Sequence, residues 1–204
     1  KRAVLVAVVP PERKDQKDRA LDEMTGLIET AGAQIVGTMI QARSKPQMAT
    51  HIGKGKLEEL DALINQTDAD LIAFDNNLTP AQGKAIEEAT GTVVVDRSEV
   101  ILDIFATRAT THAAKIQVEI AQLEYTFPRL RAMWGHLERI AGAAAAGGVG
   151  TRGPGEQQLE IDRRLVQKRK KDLGAELAKI QARKRRAVEK RNVDHFTVGL
   201  VGYT

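Results

Sequence analysis

The chain has 204 residues, of which 42% are hydrophobic and 28% charged, and it contains no cysteine. This composition predicts a globular protein and excludes disulfides and thiol chemistry, and the four scattered histidines do not form the pattern of a zinc site. No segment approaches the roughly twenty apolar residues that span a membrane. The first residues run directly into a strand-like segment instead of a signal peptide, so we expect a cytoplasmic protein.

The net charge of +4 is distributed unevenly along the chain. Residues 1–107 carry 12 Lys plus Arg against 17 Asp plus Glu, whereas residues 162–191 carry 13 against 4. An excess of positive charge confined to one segment favours a polyanionic partner for that segment.

The first half alternates short apolar runs with helical patterns. Strand-like runs lie at residues 3–9, 34–40, 71–74 and 92–95, and helical patterns lie at about 14–31, 56–66 and 79–90. The last of these helices opens with Thr79 as N-cap and Pro80 at the first helical position, and Asp96-Arg97 is predicted to cap a further helix. Asp75 lies at a strand end, where ligands bind in α/β domains, but an Asp before Asn76-Asn77 is more often a turn former. The alternation predicts a small α/β domain with a parallel sheet, which ends near residue 107.

From Arg108 onwards the pattern changes to that of a long helix over residues 109–140. Apolar residues recur at alternating spacings of four and three, which predicts the seam of a coiled coil; they are Ile116, Ile120, Leu123, Phe127, Leu130, Trp134 and Leu137. Pro128 should kink this helix without ending it, because the seam continues in register beyond the proline. His112 and His136 have no carboxylate at ligand spacing, and we predict no role for them.

A second helix is predicted from about Glu156 to Arg191. Only half of its seam is apolar, which suits packing against one antiparallel partner while the rest of its surface faces water or a charged molecule. Two basic runs lie on it: Lys168, Arg169, Lys170 and Lys171, then Arg183, Lys184, Arg185 and Arg186. Such runs are usually solvated, but so few acids lie at pairing distance along the helix that a polyanion partner is the better interpretation.

Between the two helices lies a glycine-rich loop. Residues 147–156 contain five glycines and Arg152, and the whole tip is predicted to span about 141–156. Because glycine weakens folding and packs nothing, this density indicates a backbone that approaches another surface closely. The fold class that follows is α/β: a small parallel-sheet domain followed by a long antiparallel two-helix coiled-coil hairpin.

Two further segments could bind phosphate. Phe196 to Val201 is predicted to be a buried strand, and Gly202, Tyr203 and Thr204 follow it where a P-loop could begin, although many strands end in glycine. Near the start of the second predicted helix, Gly53-Lys54-Gly55-Lys56 could form an anion nest, which would make the first domain a nucleotide-binding module with an arm for a protein partner. An ordered linker explains this second segment more simply, because it lacks the full glycine pattern.

Several motifs together resemble the HflX family, in the Obg-HflX group of translational GTPases. The main one is Gly150-Thr151-Arg152-Gly153-Pro154-Gly155-Glu156, continued by Gln158-Leu159-Glu160. Others are His51-Ile52-Gly53-Lys54-Gly55-Lys56, Leu78-Thr79-Pro80-Ala81-Gln82, Asp96-Arg97, Gln117-Val118-Glu119, Pro128-Arg129-Leu130 and Val201-Gly202-Tyr203-Thr204. The resemblance runs from the first strand to the last residue.

The resemblance implies an α/β subdomain at residues 1–107, a helical hairpin at 108–192 and the first strand and P-loop start of a GTPase domain at 193–204. It implies binding of ribosomal RNA in the large ribosomal subunit, separation of the subunits under stress, and GTP and Mg²⁺ bound by the rest of a longer protein. This fragment alone would then hold no nucleotide and have no catalytic residue, and it should be a monomer. RNA contacts are expected from the two basic runs and from Arg152, Gly153, Pro154 and Gly155 at the tip.

Overall fold

The structure is a computed structural model that describes residues 1–12, 17–144 and 154–192, and the burial of side chains in residues 1–12, 21–129 and 160–190. Its strands are β1 (Arg2–Val9), β2 (Gln34–Ala42), β3 (Leu71–Phe74) and β4 (Val93–Asp96). Its helices are α1 (Lys17–Thr30), α2 (Lys54–Thr67), α3 (Pro80–Thr90), α4 (Arg97–Arg108), α5 (His112–Ala144) and α6 (Pro154–Asn192). No helix within these ranges is long and apolar enough to cross a bilayer.

The four strands form one parallel sheet in the order β2-β1-β3-β4. Helices cover both faces. On one face α2 and α3 pack on the sheet through residues such as Leu60 and Ile86, and on the other face α1 and α4 pack through residues such as Met24 and Val100. β1 is buried on both faces because it lies inside the sheet, which explains its continuous run of apolar residues. The predicted α/β class and parallel sheet are confirmed.

The helix ends follow local capping chemistry. Thr79 and Gln82 form a reciprocal capping box at the start of α3, where Pro80 takes the first helical position as predicted. α2 begins at Lys54, two residues earlier than predicted, because the Leu57 amide already donates to the Gly53 carbonyl at 3.0 Å. The C-cap residues that follow α2 and α3 are Asp68 and Gly91, and both have the left-handed conformation that is common at helix ends.

The two long helices run antiparallel to each other. His112 near the start of α5 contacts Glu176 of α6, while Glu119, two turns later, contacts Arg169, which is two turns earlier in α6. Ile116 and Leu173 are both almost fully buried at the level between these two contacts. α5 continues through Pro128, so the prediction that the proline does not end the helix is confirmed, and the kink stays a prediction.

Candidate functional site: the helical arm and its anchor

The buried carboxylate of Asp96 holds three segments together where β4 ends. Asp96 is the last residue of β4 and the N-cap of α4, and its Oδ1 accepts a hydrogen bond from the Glu99 amide at 3.1 Å. Its Oδ2 accepts from the Leu78 amide at 3.0 Å and from Arg129 Nη2 at 2.6 Å. The predicted cap is therefore confirmed, and the same side chain also binds a guanidinium from α5. We call Asp96, Arg129 and Leu78 the anchor.

Arg129 attaches α5 to the α/β domain. Besides the contact with Asp96, its Nη2 donates to the Leu78 carbonyl at 3.0 Å, and its guanidinium lies 3.6 Å from the centre of the Tyr125 ring. The pKa of the Tyr125 hydroxyl is raised by burial and then by the neighbouring Asp96. Because Asp96 is only 2% exposed, this ion pair is shielded from the screening that weakens surface pairs.

Sequence reasoning missed the anchor. Asp96 was expected only to cap a helix, and Arg129 was noticed only as part of a motif. One available signal was Arg129 itself, because it lies between the seam residues Phe127 and Leu130, and a cation among apolar residues needs a partner. The partner lies 33 residues earlier in the chain, and no local pattern identifies it.

The protein's own side chains occupy the position at which sheets of this kind bind ligands. The strand order reverses between β1 and β3, and ligands usually lie in the crevice beyond the carboxyl ends of such strands. Here the Asn76 side chain crosses that crevice, accepting from the Val8 amide at 2.7 Å and donating to the Val8 carbonyl at 3.0 Å. This closure gives no support to the hypothesis that the first domain is a nucleotide-binding module.

Asp75 follows β3 and pairs with a cation. Arg97 donates to Asp75 at 2.7 Å and also contacts Glu23 of α1, so it ties the end of β3 to α1 and α4. The prediction of a turn former understated this residue. Its role is a cross-link at the carboxyl edge of the sheet.

The segment that precedes α2 is a fixed loop. The backbones of Gln47 and His51 exchange two hydrogen bonds of 2.9 Å, and the Gln82 side-chain amide donates to the carbonyls of Gln47 and Met48. His51 has a positive φ of 64° and is buried, and its ring makes a T-shaped contact with the ring of Phe74. Gly53, the N-cap of α2, contributes no side-chain cap. This geometry agrees with the predicted ordered linker.

Burial lowers the pKa of His51 below its ordinary value of 6.5. The unfolded chain therefore takes up a proton at pH values at which the folded chain does not, so the contribution of His51 to stability is full above about pH 6.5 and is lost as the pH falls below it. Between about pH 7.5 and about pH 5.5, we expect the free energy of unfolding in urea to fall more for the unchanged protein than for His51→Asn, which has no imidazole to protonate. Asparagine is chosen because it tolerates a positive φ. An identical loss in both proteins would contradict this assignment.

The basic residues of α6 divide into two groups. Arg169 contacts Glu119 and Lys170 contacts Glu124, each at 2.7 Å, so these two cations pair with α5. The other six are exposed, and no ion pair reaches them from any residue that the structure describes; they are Lys168, Lys171, Arg183, Lys184, Arg185 and Arg186. For these two cations, acids of the neighbouring helix α5 take the place of the few acids along α6. His112 likewise contacts a carboxylate, that of Glu176 at 2.7 Å, which lies 64 residues later in the chain.

The remaining predicted site residues lie partly outside the described residues. Arg152 and Gly153 of the tip and Gly202, Tyr203 and Thr204 of the P-loop start are among those outside. Pro154 and Gly155 were predicted to belong to the loop, yet they form the first turn of α6. Proline is favoured at the first helical position because its fixed φ suits a helix and its missing N–H is not needed there.

Two family models match this chain. The model for "GTP-binding GTPase N-terminal" matches residues 18–106, and the model for "GTP-binding GTPase Middle Region" matches residues 108–191. Together these matches include every element from α1 to α6 apart from the first residue of α1, Thr107 of α4 and the last residue of α6.

Whole-chain relatives carry the name GTPase HflX. The protein from Lacrimispora saccharolytica is 44% identical over 204 residues, which cover 100% of this chain and 47% of the relative. The one from Escherichia coli K12 is 39% identical over 203 residues, covering 99% and 46%. The crystal structure of an SsGBP and GDP complex shares the fold, with a TM-score of 0.62 and 20% identity over 91% of this chain and 46% of that one. The chain spans about half the length of the curated relatives it matches, and it belongs to the HflX family of GTPases.

Proposed function

We propose that this chain is the ribosome-binding part of an HflX-type GTPase. Its helical arm, α5 with α6, binds ribosomal RNA of the large ribosomal subunit and promotes subunit separation or rescue under stress. GTP, with Mg²⁺, is bound and hydrolysed by the rest of the whole protein, to which residues 193–204 lead through the P-loop start at Gly202, Tyr203 and Thr204. The chain acts in the cytoplasm as a monomer.

The observation that carries this proposal is the unpaired positive surface of α6. Six of its predicted RNA-binding cations are exposed and free of ion pairs among the described residues. His112, the first residue of α5, contacts Glu176 of the antiparallel helix α6. The second basic run, residues 183–186, follows Glu176 by about two turns, so it extends past the start of α5. Exposed arginine and lysine side chains bind RNA phosphates, and neutralising the phosphates releases counterions, which favours binding. Such contacts do not read sequence, because every nucleotide carries the same phosphate.

The arm is proposed to be an antiparallel coiled-coil hairpin. The buried Ile116 and Leu173 supply apolar contact along its seam, and the Arg169–Glu119 and Lys170–Glu124 pairs flank that contact. At 1.5 Å per residue the 39 residues of α6 extend roughly 58 Å, long enough to carry a tip far from the sheet. The proposal places Arg152, Gly153, Pro154 and Gly155 at this tip, where a narrow backbone suits a confined RNA surface.

The anchor gives the arm a fixed direction. Arg129 lies in the middle of α5, so roughly 22 Å of that helix continues past the anchor to Ala144. A helix that is held by a buried ion pair at Arg129 and by contacts with α6 between His112 and Glu124 can transmit a contact at the tip to the α/β domain. The two domains proposed here, residues 1–107 and 108–192, would then move as one body.

Binding to purified large ribosomal subunits over a range of salt concentrations tests this proposal. For the 204-residue chain we expect affinity to fall steeply as salt rises. Neutralising residues 183–186 together, as Arg183→Gln, Lys184→Gln, Arg185→Gln and Arg186→Gln, should make the slope of log affinity against log salt less steep by about 3, because four phosphate contacts are lost.

A matched control removes four exposed cations elsewhere. It combines Lys45→Gln, Lys54→Gln, Arg108→Gln and Lys115→Gln, which change the net charge equally and lie in the α/β domain or at the start of α5. The slope for this control should stay close to that of the unchanged chain. A flat salt dependence, or an equal loss in both variants, would refute α6 as the RNA-binding surface.

A further inference from the structure

One side of α6 carries positive charge that the arm does not use for its own packing. Leu173 is buried, and its neighbours Arg169 and Lys170 pair with α5, so these residues mark the side of α6 that faces α5. An α-helix turns by about 100° per residue, and five cations lie within about 60° of the direction opposite to Leu173. We call them the outer row: Lys168, Lys171, Lys179, Arg185 and Arg186. All five are exposed, and none forms an ion pair with a residue of the described ranges.

The outer row is a continuous line of positive charge. From Lys168 to Arg186 the helix rises by roughly 27 Å at 1.5 Å per residue, and α6 is unbroken over this length. The two acids within this stretch, Asp172 and Glu176, lie more than about 60° away from the direction of the row, and Glu176 contacts His112. The row therefore presents positive charge alone to whatever lies against the outer side of the arm.

Small side chains lie between the cations of the outer row. Ala175 lies one turn from Lys171 and one turn from Lys179, and Ala178 and Ala182 also lie within about 40° of the direction opposite to Leu173. Because alanine ends at its Cβ, the helix backbone can come close to a shallow surface here, while the longer lysine and arginine side chains reach to both sides. The minor groove of an RNA duplex is such a surface, since it is wide and shallow and displays the 2′-hydroxyls.

The side chains of α6 do not suit single-stranded RNA. Proteins that bind single strands stack the bases on aromatic side chains, and α6 contains no phenylalanine, tyrosine, tryptophan or histidine. A single strand would also have to be ordered along the row, and that ordering opposes binding. The phosphates of a duplex are already held at regular positions, so a fixed line of cations binds them without this loss.

We propose that the outer row binds double-stranded RNA, with the alanine face of α6 against the minor groove and the cations on the phosphates along its edges. The inference rests on the proposed function, which names ribosomal RNA as the partner, and it adds the form of that RNA. Binding is independent of sequence, because every nucleotide carries the same phosphate and the same 2′-hydroxyl.

Fluorescence anisotropy with three labelled nucleic acids tests this inference on the 204-residue chain. An RNA duplex of about 16 base pairs should bind at least about tenfold more tightly than oligouridine with the same number of phosphates, because α6 offers no stacking surface. A DNA duplex of the same sequence should bind more weakly than the RNA duplex, because the minor groove of B-DNA is only about 6 Å wide.

The outcomes separate this inference from the proposed function. Equal affinity for oligouridine or for the DNA duplex would overturn the assignment to double-stranded RNA, while salt-dependent binding to large ribosomal subunits would still support the proposed function. Tight binding of the RNA duplex without binding to large subunits would contradict the proposed function and leave the form of the RNA supported.

A pair of alanine variants locates the contact. Ala175→Leu should weaken binding of the RNA duplex by about tenfold, because the larger side chain holds Lys171 and Lys179 away from the phosphates. Binding of oligouridine should not change. Ala187→Leu is the matched control, since Ala187 is an exposed alanine of the same helix that lies within about 40° of the direction of Leu173.

Leucine is a strong helix former, so both variants should unfold in urea like the unchanged chain. Equal weakening by Ala175→Leu and Ala187→Leu, or no effect of Ala175→Leu, would overturn the placement of the duplex on the outer row. Lys171→Gln combined with Lys179→Gln gives a second check at the same place, because it removes charge without adding bulk. This variant should also weaken duplex binding, and unchanged affinity would count against the outer row.

Discussion

Arg129→Ala is expected to lower the free energy of unfolding by about 3 kcal/mol. The Asp96 carboxylate is 2% exposed, and this substitution would leave it buried without its cation. The Leu78 carbonyl would lose a donor at the same time, and the contact with the Tyr125 ring would disappear. The Arg129 side chain is 26% exposed, so the expected loss lies at the lower end of the range for buried ion pairs. Urea unfolding followed by circular dichroism measures it.

Two further variants separate the ion pair from the helix cap. Asp96→Asn keeps an N-cap side chain that can accept from the Glu99 amide, but it removes the charge. Combining it with Arg129→Ala should cost less than the sum of the single changes, because each single change breaks the same pair. Arg108→Ala removes an exposed arginine and should change stability by less than about 0.5 kcal/mol. Additive effects of Asp96→Asn and Arg129→Ala would show that the anchor is not a coupled pair.

The elements of the α/β domain could be predicted because each depends on local chemistry. β1 and β3 are continuous apolar runs bounded by polar residues or proline, and the two residues Thr79-Pro80 mark a helix start. Parallel pairing then follows from the alternation of strands and helices, because each intervening helix returns the chain to the end of the sheet where the previous strand began. The order β2-β1-β3-β4 was not predicted, because strand order depends on contacts between segments that are distant in the sequence.

The sequence pattern could not predict which basic residues of α6 form ion pairs. Lys168, Arg169, Lys170 and Lys171 are indistinguishable as a run of four cations. In the folded chain Arg169 and Lys170 face Glu119 and Glu124 on α5, whereas Lys168 and Lys171 stay exposed. Assigning them needs the rotation of α6 about its axis and its register against α5, both of which are set by packing. The Asp96–Arg129 pair escaped prediction for the same reason.

The anchor and the crevice closed by Asn76 both lie at the carboxyl edge of the sheet. Asn76 occupies the position between β1 and β3 where a sheet of this kind would take a ligand, while Asp96 at the end of β4 binds the arm. The carboxyl edge of the sheet is therefore used to hold α5. The polar side chains at that edge, Asn76, Asp75 and Asp96, are accordingly bonded to other residues of the chain. Through Asp96, the α/β domain holds the helical arm in place.

Leu173→Ala is expected to lower the free energy of unfolding by about 3 kcal/mol and to loosen α6 from α5. Leu173 is 2% exposed at the level of Ile116, and the loss of its side chain would leave a cavity between the helices. Only half of the α6 seam is apolar, so few neighbouring contacts can compensate. Hydrogen exchange of the α6 amides, measured beside urea unfolding, should show faster exchange around residue 173.

Leu165→Ala supplies the matched control, because Leu165 lies on the same helix and is 59% exposed. The same atoms are removed, but no buried contact is lost, so stability should change by less than about 0.5 kcal/mol. Equal losses from the two leucines would mean that the buried contact with α5 does not hold α6. Unequal losses together with fast exchange confined to α6 would show that the arm can open while the α/β domain stays folded, because separately stable units exchange at different rates.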